Sequence, residues 1–382
     1  MQSPVNWKRI TAMMCSNKNL GLYIHVPFCA VKCPYCDFYS VAYSKKNESL
    51  YTDAVIRNLI KYSELCRDRT IDTIYFGGGT PSLISPKSIK KILVSTFHHF
   101  NVENSAEISM EANPNTINDK RCFEWISAGI NRLSIGIQSF QNNELKNLGR
   151  KHTAEQAVNA VNDAANEGFE NISCDLMLGV EGQSCDTLSQ TLETAVSLPV
   201  KHISAYMLKI EEGTPFDCDE IIQKLPDDDT FADMYLKTVE TFEKHGFMQY
   251  EISNFAKSGF ESLHNLKYWH CEEYIGIAPS AHSYFNGKRY KVPSDIENFL
   301  NSEYQTETLT DETAGDFKEK AMLMLRLKSG LDFDICGDRK DEIIKKSEML
   351  CKNGLAEMNH KKVWLTPQGF LISNQIIEYL VL

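Results

Sequence analysis

Cys29, Cys33 and Cys36 stand together in the run His25-Val26-Pro27-Phe28-Cys29-Ala30-Val31-Lys32-Cys33-Pro34-Tyr35-Cys36, spaced C-x3-C-x2-C after a short apolar segment, Leu22 to Val26. Three thiolates on one loop can each bind one iron of a cubane cluster. A fourth iron is then left without a protein ligand, and an open coordination position can take a substrate or cofactor. Zinc is the competing reading. It would need a fourth ligand, from His25 or a distant cysteine, and no second close cysteine pair is present. Three unrelated buried thiols are the remaining alternative. Of the 12 cysteines, Cys66, Cys122, Cys174, Cys185, Cys218, Cys336 and Cys351 are scattered singly and read as reduced thiols in a reducing cytosol.

A second group of residues could bind a ligand beside such a cluster. Tyr75-Phe76-Gly77-Gly78-Gly79-Thr80-Pro81-Ser82 follows another apolar segment, and its glycines would let a ligand approach the main chain. No Gly-Lys-Ser/Thr follows, so it is not a phosphate loop. Glu111, Gln138 and Asp175 sit at or near the ends of apolar runs, and Arg150 closes Leu148-Gly149-Arg150. Singly, each reads as a strand-end polar group facing water. Together they could line one mouth of a barrel and bind ribose hydroxyls, adenine and a carboxylate.

Positioning these residues requires strands that end on one side. Runs suited to strands occur at Leu22 to Val26, Thr73 to Phe76, Glu107 to Met110, Arg132 to Ile137, Asn171 to Leu176 and His202 to Met207. Amphipathic stretches lie between them. Leu50 to Cys66 would put Leu50, Ala54, Leu59 and Tyr62 on one face. Thr153 caps a helix that stops at Gly168, and Ser184 to Leu198 is a helix ending before Pro199. Strands alternating with helices imply parallel pairing. The expected fold class is α/β, a partial (β/α)6 TIM-like barrel over 20–225. An acidic stretch, Pro226 to Asp229, introduces a helix, Thr230 to His245, and an aromatic-rich irregular region follows, Tyr250 to Tyr290. These make a barrel extension over 226–305. Residues 306–382 read as a small winged-helix-like module with a strand at Lys362 to Leu365 and a helix opened by Pro367.

The chain has 382 residues, 42% hydrophobic and 24% charged, enough for one large domain and a smaller module. A formal net charge of -11 disfavours a broad nucleic-acid surface. No apolar run of spanning length occurs, so membrane association is expected to be peripheral at most. The extension 1–19 carries Lys8, Arg9 and Lys18, but its apolar stretch is too short and interrupted for a secretory signal. A cytoplasmic location is expected.

The C-x3-C-x2-C loop after a first strand, with Tyr35 before Cys36, resembles the radical S-adenosylmethionine superfamily. The resemblance implies a 4Fe-4S cluster on Cys29, Cys33 and Cys36. Its unique iron would chelate the methionine moiety of S-adenosyl-L-methionine, and one electron would cleave the sulfonium to a 5′-deoxyadenosyl radical. Glu111-Ala112-Asn113-Pro114, Ile137-Gln138-Ser139-Phe140 and Gly149-Arg150 are similar to the coproporphyrinogen oxidase-like branch. That implies S-adenosylmethionine contacts at Tyr23, Gly78, Gly79, Thr80, Glu111, Gln138, Arg150 and Asp175.

Within the branch, the true oxygen-independent coproporphyrinogen III oxidases carry a fourth cysteine two residues beyond the third, where this chain has Phe38. They also carry a long N-terminal extension, whereas about 20 residues precede the first strand here. His264-Asn265-Leu266-Lys267-Tyr268-Trp269 resembles the H-N-x-x-Y-W signature of the HemW-type heme chaperones. The resemblance implies heme as cargo and a respiratory heme-acceptor protein as partner. His264 would be an axial ligand, with Tyr268 and Trp269 offering flat surfaces. His270 and His282 are weaker alternatives, and a hydrogen-bonded structural role is the other reading of His264.

Overall fold

The computed structural model describes residues 19–381, so the extension 1–19 lies outside the described residues except for Asn19. Six parallel strands form the centre: β1 (Asn19–Val26), β2 (Thr70–Gly78), β3 (Asn101–Ala112), β4 (Arg132–Gln138), β5 (Asn171–Leu178) and β6 (His202–Met207). Helices α1 (Lys45–Leu65), α2 (Pro86–His99), α3 (Asp119–Ala128), α4 (Ala154–Asn166) and α5 (Cys185–Ser197) connect them. Capping boxes Thr153/Gln156 and Ser184/Thr187 open α4 and α5. Gly129, at φ 111°, closes α3 in the left-handed conformation a side chain would resist.

Each central strand alternates with period two. Leu22, Ile24, Val26, Ile74, Phe76, Ile108, Met110, Leu133, Ile135, Ile172, Cys174, Leu176 and Ile203 belong to the main apolar core, on the side of the helices. The intervening residues are mostly polar or aromatic and turn into the bore, where they bond one another. Tyr75 donates to Glu111 Oε1 at 3.0 Å, Ser134 to Asp175 Oδ1 at 2.9 Å, and Ser173 Oγ lies 2.7 Å from His202 Nδ1. On α1 the buried face runs through Tyr51, Ala54, Val55, Asn58, Leu59 and Tyr62. Leu50, expected on that face, is 44% exposed, because the 3.6-residue repeat centred on Ala54 and Tyr62 puts Tyr51 there instead.

The region from Tyr250 to Tyr290, expected to be irregular, is built into the sheet. After α6 (Asp228–Lys244) come β7 (Met248–Gln249) and β8 (Asn254–Ala256), which extend the β6 edge antiparallel. Helix α7 (Leu263–Trp269) follows, then β9 (Tyr274–Ile277), β10 (His282–Phe285), β11 (Lys288–Lys291) and β12 (Thr308–Asp311). Strand β9 pairs parallel with β1, and β10 to β12 continue antiparallel, giving a twelve-stranded sheet. These strands are two to four residues long, too short for their own periodicity to announce them. The last segment contains α8 (Phe317–Met324), β13 (Leu331–Asp332), α9 (Lys340–Lys352), β14 (Ala356–Met358), β15 (Lys362–Leu365), α10 (Pro367–Leu371) and α11 (Ser373–Val381). Its three strands form a separate antiparallel sheet, ordered β13-β15-β14.

Helix α7 closes the bore at the N-terminal ends of the strands. Its first amides, of Leu263 and His264, donate to the Glu107 carboxylate at 3.1 and 3.2 Å, and Lys267 Nζ pairs with Asp72 at 2.7 Å. Glu107 also faces the buried guanidinium of Arg132, with Nε 4.0 Å from Oε2. One carboxylate therefore satisfies both a helix start and a buried cation. Glu107→Ala should lower the unfolding free energy by roughly 3–5 kcal/mol, the cost of stranding a buried charge. A urea midpoint within experimental error of the unaltered protein would contradict this role.

Candidate functional site

At the C-terminal ends of the strands the bore opens into a cavity of about 560 Å³, within the range of small-molecule sites. Cys29, Cys33 and Cys36 stand on its rim. Their loop is closed at its base by parallel pairing of Phe28–Cys29 with Val41–Ala42. The glycine turn after β2 is sewn to it: Gly79 N donates to Val26 O at 2.9 Å and Thr80 N to Phe28 O at 2.8 Å. A Cβ on Gly79 would lie 2.7 Å from Phe28 O, so the close approach requires glycine. Gly78, at φ 111°, packs its α-carbon against the His25 ring. From the far side, Arg150 Nη1 lies 3.5 Å from Cys33 Sγ while its Nη2 bonds the Gly136 carbonyl. Gly149 packs on Pro34, and Tyr35 lies 6.0 Å, ring to ring, from Phe216.

Among the described residues no set of three or more His, Cys, Asp or Glu side chains is gathered to hold a single metal ion. His25, the nearby candidate for a fourth zinc ligand, has both ring nitrogens engaged, by Tyr23 Oη and the Tyr39 carbonyl, each at 3.0 Å. Three thiols on the rim of one cavity, without a fourth donor, fit a cluster that spreads them over three iron atoms. Burial holds the Cys36 thiol above its ordinary pKa, against the pull of the Phe38 amide; iron would draw off that proton.

Of the expected cofactor contacts, Gly78, Gly79, Thr80, Glu111, Gln138, Arg150 and Asp175 all line this cavity. Glu111 accepts from Tyr75 Oη and from Gly78 N, both at 3.0 Å. Burial, and then the neighbouring Asp175, raise its pKa to about 7. Burial also raises Asp175, against the hydroxyls of Ser204 and Ser134. Gln138 holds φ at 72° where the β4–β5 register shifts, a strained backbone that turns the residue to the mouth. Tyr23 stands behind the wall. Its hydroxyl lies 3.0 Å from His25 Nδ1 and its ring stacks on Tyr75 at 6.2 Å, and Tyr75, in front of it, lines the cavity.

His264, expected to face heme, is fully buried in the floor beneath Tyr75. Its Nδ1 lies 2.8 Å from Thr73 Oγ1 and its Nε2 2.8 Å from Tyr268 Oη. Burial, then Lys267 and Arg132, depress its pKa to about 3. Neither nitrogen is free to bind iron in this structure, and Tyr268 is packed 4.5 Å from the Tyr274 ring. Its neighbour Asn265 does line the cavity.

Tyr75, Arg132, Ser134, Ser204 and Asn265 are lining residues that reading strand ends alone missed. Four of them lie on the polar phase of a strand, so the alternation within each strand was the available signal. Arg132 Nη1 is buried without a hydrogen-bond partner, so it suits a ligand with acceptor atoms.

Residues 23–195 match the model of the radical SAM superfamily. A protein named heme chaperone HemW from Lactococcus lactis is 32% identical over 94% of this chain and 97% of its own length. One of the same name from Escherichia coli is 39% identical over 69% of each chain. Among solved structures, Escherichia coli coproporphyrinogen III oxidase (HemN), described as a radical SAM enzyme, superposes with a TM-score of 0.82. It covers 98% of this chain and 92% of its own at 20% identity, and so shares the fold. Matched across nearly its whole length at that identity, and carrying the cysteine loop over the mouth of a partial barrel, this chain belongs to the HemW family of the radical SAM superfamily.

Proposed function

We propose that this chain binds heme and passes it to an acceptor protein, a component of a respiratory chain, while holding a 4Fe-4S cluster and S-adenosylmethionine at the barrel mouth. The observation that carries this reading is the near full-length match to a protein named heme chaperone. The rim agrees with it: Phe38, where the oxidases place a further cysteine, lines the cavity and is 67% exposed. Cys29, Cys33 and Cys36 would hold the cluster, which supplies an open iron for the methionyl end of the cofactor and one-electron chemistry at its sulfonium. Glu111 would accept a hydrogen bond from the amino group of that ligand, and Asp175 and Gln138 would bind its hydroxyl and ring groups. No helix of the described residues is long and apolar enough to cross a membrane. A cytoplasmic chaperone reaching the membrane only peripherally is the form of the proposal.

Anaerobic preparation should yield iron and sulfide in the ratio of a 4Fe-4S cluster, lost in Cys33→Ala with the fold kept by circular dichroism. The same sample should bind heme and leave coproporphyrinogen III unchanged. Decarboxylated product would overturn the chaperone reading.

Glu111 predicts a pH dependence. With its pKa raised to about 7, the ligand-free carboxyl is neutral below that pH, whereas a cationic ligand favours the carboxylate. S-adenosylmethionine affinity should therefore fall as pH drops through about 7, by up to about tenfold per pH unit, and level off above it. Titration calorimetry of the unaltered protein and Glu111→Gln checks this. A profile that Glu111→Gln leaves unaltered would assign the titration elsewhere.

A further inference from the structure

The cavity reaches deeper than the residues that S-adenosylmethionine would engage. In register, Glu111 pairs with Ser134 and Asp175 with Gly136, whereas Arg132 lies opposite Ser109, two residues nearer the floor than Ser134. At about 3.3 Å per residue that is a step of about 7 Å. Arg132 is 1% exposed, lines the cavity and has Nη1 buried without a hydrogen-bond partner. Its Nε edge faces Glu107, which fixes the guanidinium from below. A second donor stands beside it on the floor. Asn265, on the helix α7 that closes the bore, lines the same cavity, and its carboxamide takes part in no hydrogen bond among the described residues.

The other polar groups at this depth are already engaged. Tyr75 donates to Glu111, Ser134 to Asp175, and Ser173 lies against His202. Ser204 also holds Asp175. What remains is one edge of a guanidinium and one amide facing the same space. Donors held away from water destabilise the fold unless an acceptor reaches them. A carboxylate suits both, because it has acceptor atoms only and forms charge-assisted bonds with a guanidinium. The methionyl carboxylate of S-adenosylmethionine is not the natural occupant. It would be taken up by the open iron at the rim, where Arg150 stands beside Cys33.

We propose that Arg132 and Asn265 form a subsite for the carboxylate of a second small molecule, on the floor of the bore and distinct from the contacts of S-adenosylmethionine. The carboxylate belongs either to a free short-chain acid or to an arm of a larger ligand such as heme. Binding makes and breaks no covalent bond. The two acids nearer the mouth add a coupling. Burial raises the pKa of Glu111 and of Asp175, and the charge of Arg132 pulls each back down, so both carboxyls sense the floor. In an empty bore their negative charge opposes an incoming anion. The sulfonium of S-adenosylmethionine offsets it. Cofactor and carboxylate therefore raise each other's affinity, by the same factor in both directions. The inference rests on the cofactor reading above and not on the heme-carrying one.

The test uses the full chain, prepared anaerobically, with propionate as the probe and propionamide as its neutral match, followed by nuclear magnetic resonance titration. Propionate should bind about tenfold tighter than propionamide, and tighter still with S-adenosylmethionine present. Asn265→Asp, which sets a carboxylate beside the probe, should weaken propionate about tenfold. Arg132→Gln should abolish its binding. Where Arg132→Gln does not fold, because Glu107 is left alone, Arg132→Lys keeps the charge and should still weaken propionate severalfold, a point charge replacing a planar fork. Competition separates the two sources of the group. Displacement of propionate by heme but not by heme dimethyl ester assigns it to an arm of the larger ligand, and displacement by neither assigns a free acid. Equal affinity for propionate and propionamide would overturn the subsite. So would displacement of propionate by S-adenosylmethionine, or unchanged propionate affinity in Asn265→Asp and Arg132→Lys. A chain that binds no S-adenosylmethionine would instead overturn the cofactor reading, and the comparison of propionate with propionamide would still judge the subsite.

Discussion

Polar side chains pointing into a barrel must find partners or water, because a buried donor or acceptor left alone costs more than a hydrogen bond returns. Here the inner phase of the central strands includes Thr73, Tyr75, Glu107, Glu111, Arg132, Ser134, Ser173, Asp175, His202 and Ser204, most of them buried or lining the cavity. Much of the architecture answers that constraint. At the floor, Glu107 joins Arg132 to the start of α7. In the middle, serine hydroxyls hold Asp175. Nearer the mouth, Glu111, Gln138, Arg150 and Asp175 line a space that no side chain fills, and the bore stays open as a cavity. A dry aliphatic interior of the kind that fills closed barrels would leave no such room.

The rim shows a different economy of structure. Its cysteine loop packs Tyr35 on Phe216 and Pro34 on Gly149, and is positioned by main-chain bonds from the glycine turn and by Arg150. Such placement is precise because both partners are backbone or short side chains near their strands. It tolerates little substitution: a methyl group at Gly79 would meet the Phe28 carbonyl, and one at Gly149 would meet Pro34. The same bonds that hold the thiols also fix where a ligand on the open iron would meet Glu111 and Asp175. A cluster on these thiols and a cofactor in the cavity would be coupled through the glycine turn.

The His264 to Trp269 segment belongs to the floor rather than the mouth. His264 is bonded through both nitrogens, and Lys267 is tied to Asp72 and Glu272. The segment seals the bore and presents Asn265 to the cavity.

Local patterns in the amino-acid order were enough for the six central strands, the capped helices α4 and α5 and the cysteine spacing, because each is written in neighbouring residues. They were enough, too, to mark the polar positions at the strand ends that gather around the cavity. What they could not decide was anything set by pairing between distant segments. The short strands β9 to β12 have no periodicity of their own and exist because β1 offers an unpaired edge. Whether His264 reaches solvent depends on which end of the barrel its segment meets, and only the closed network of tertiary contacts determines that.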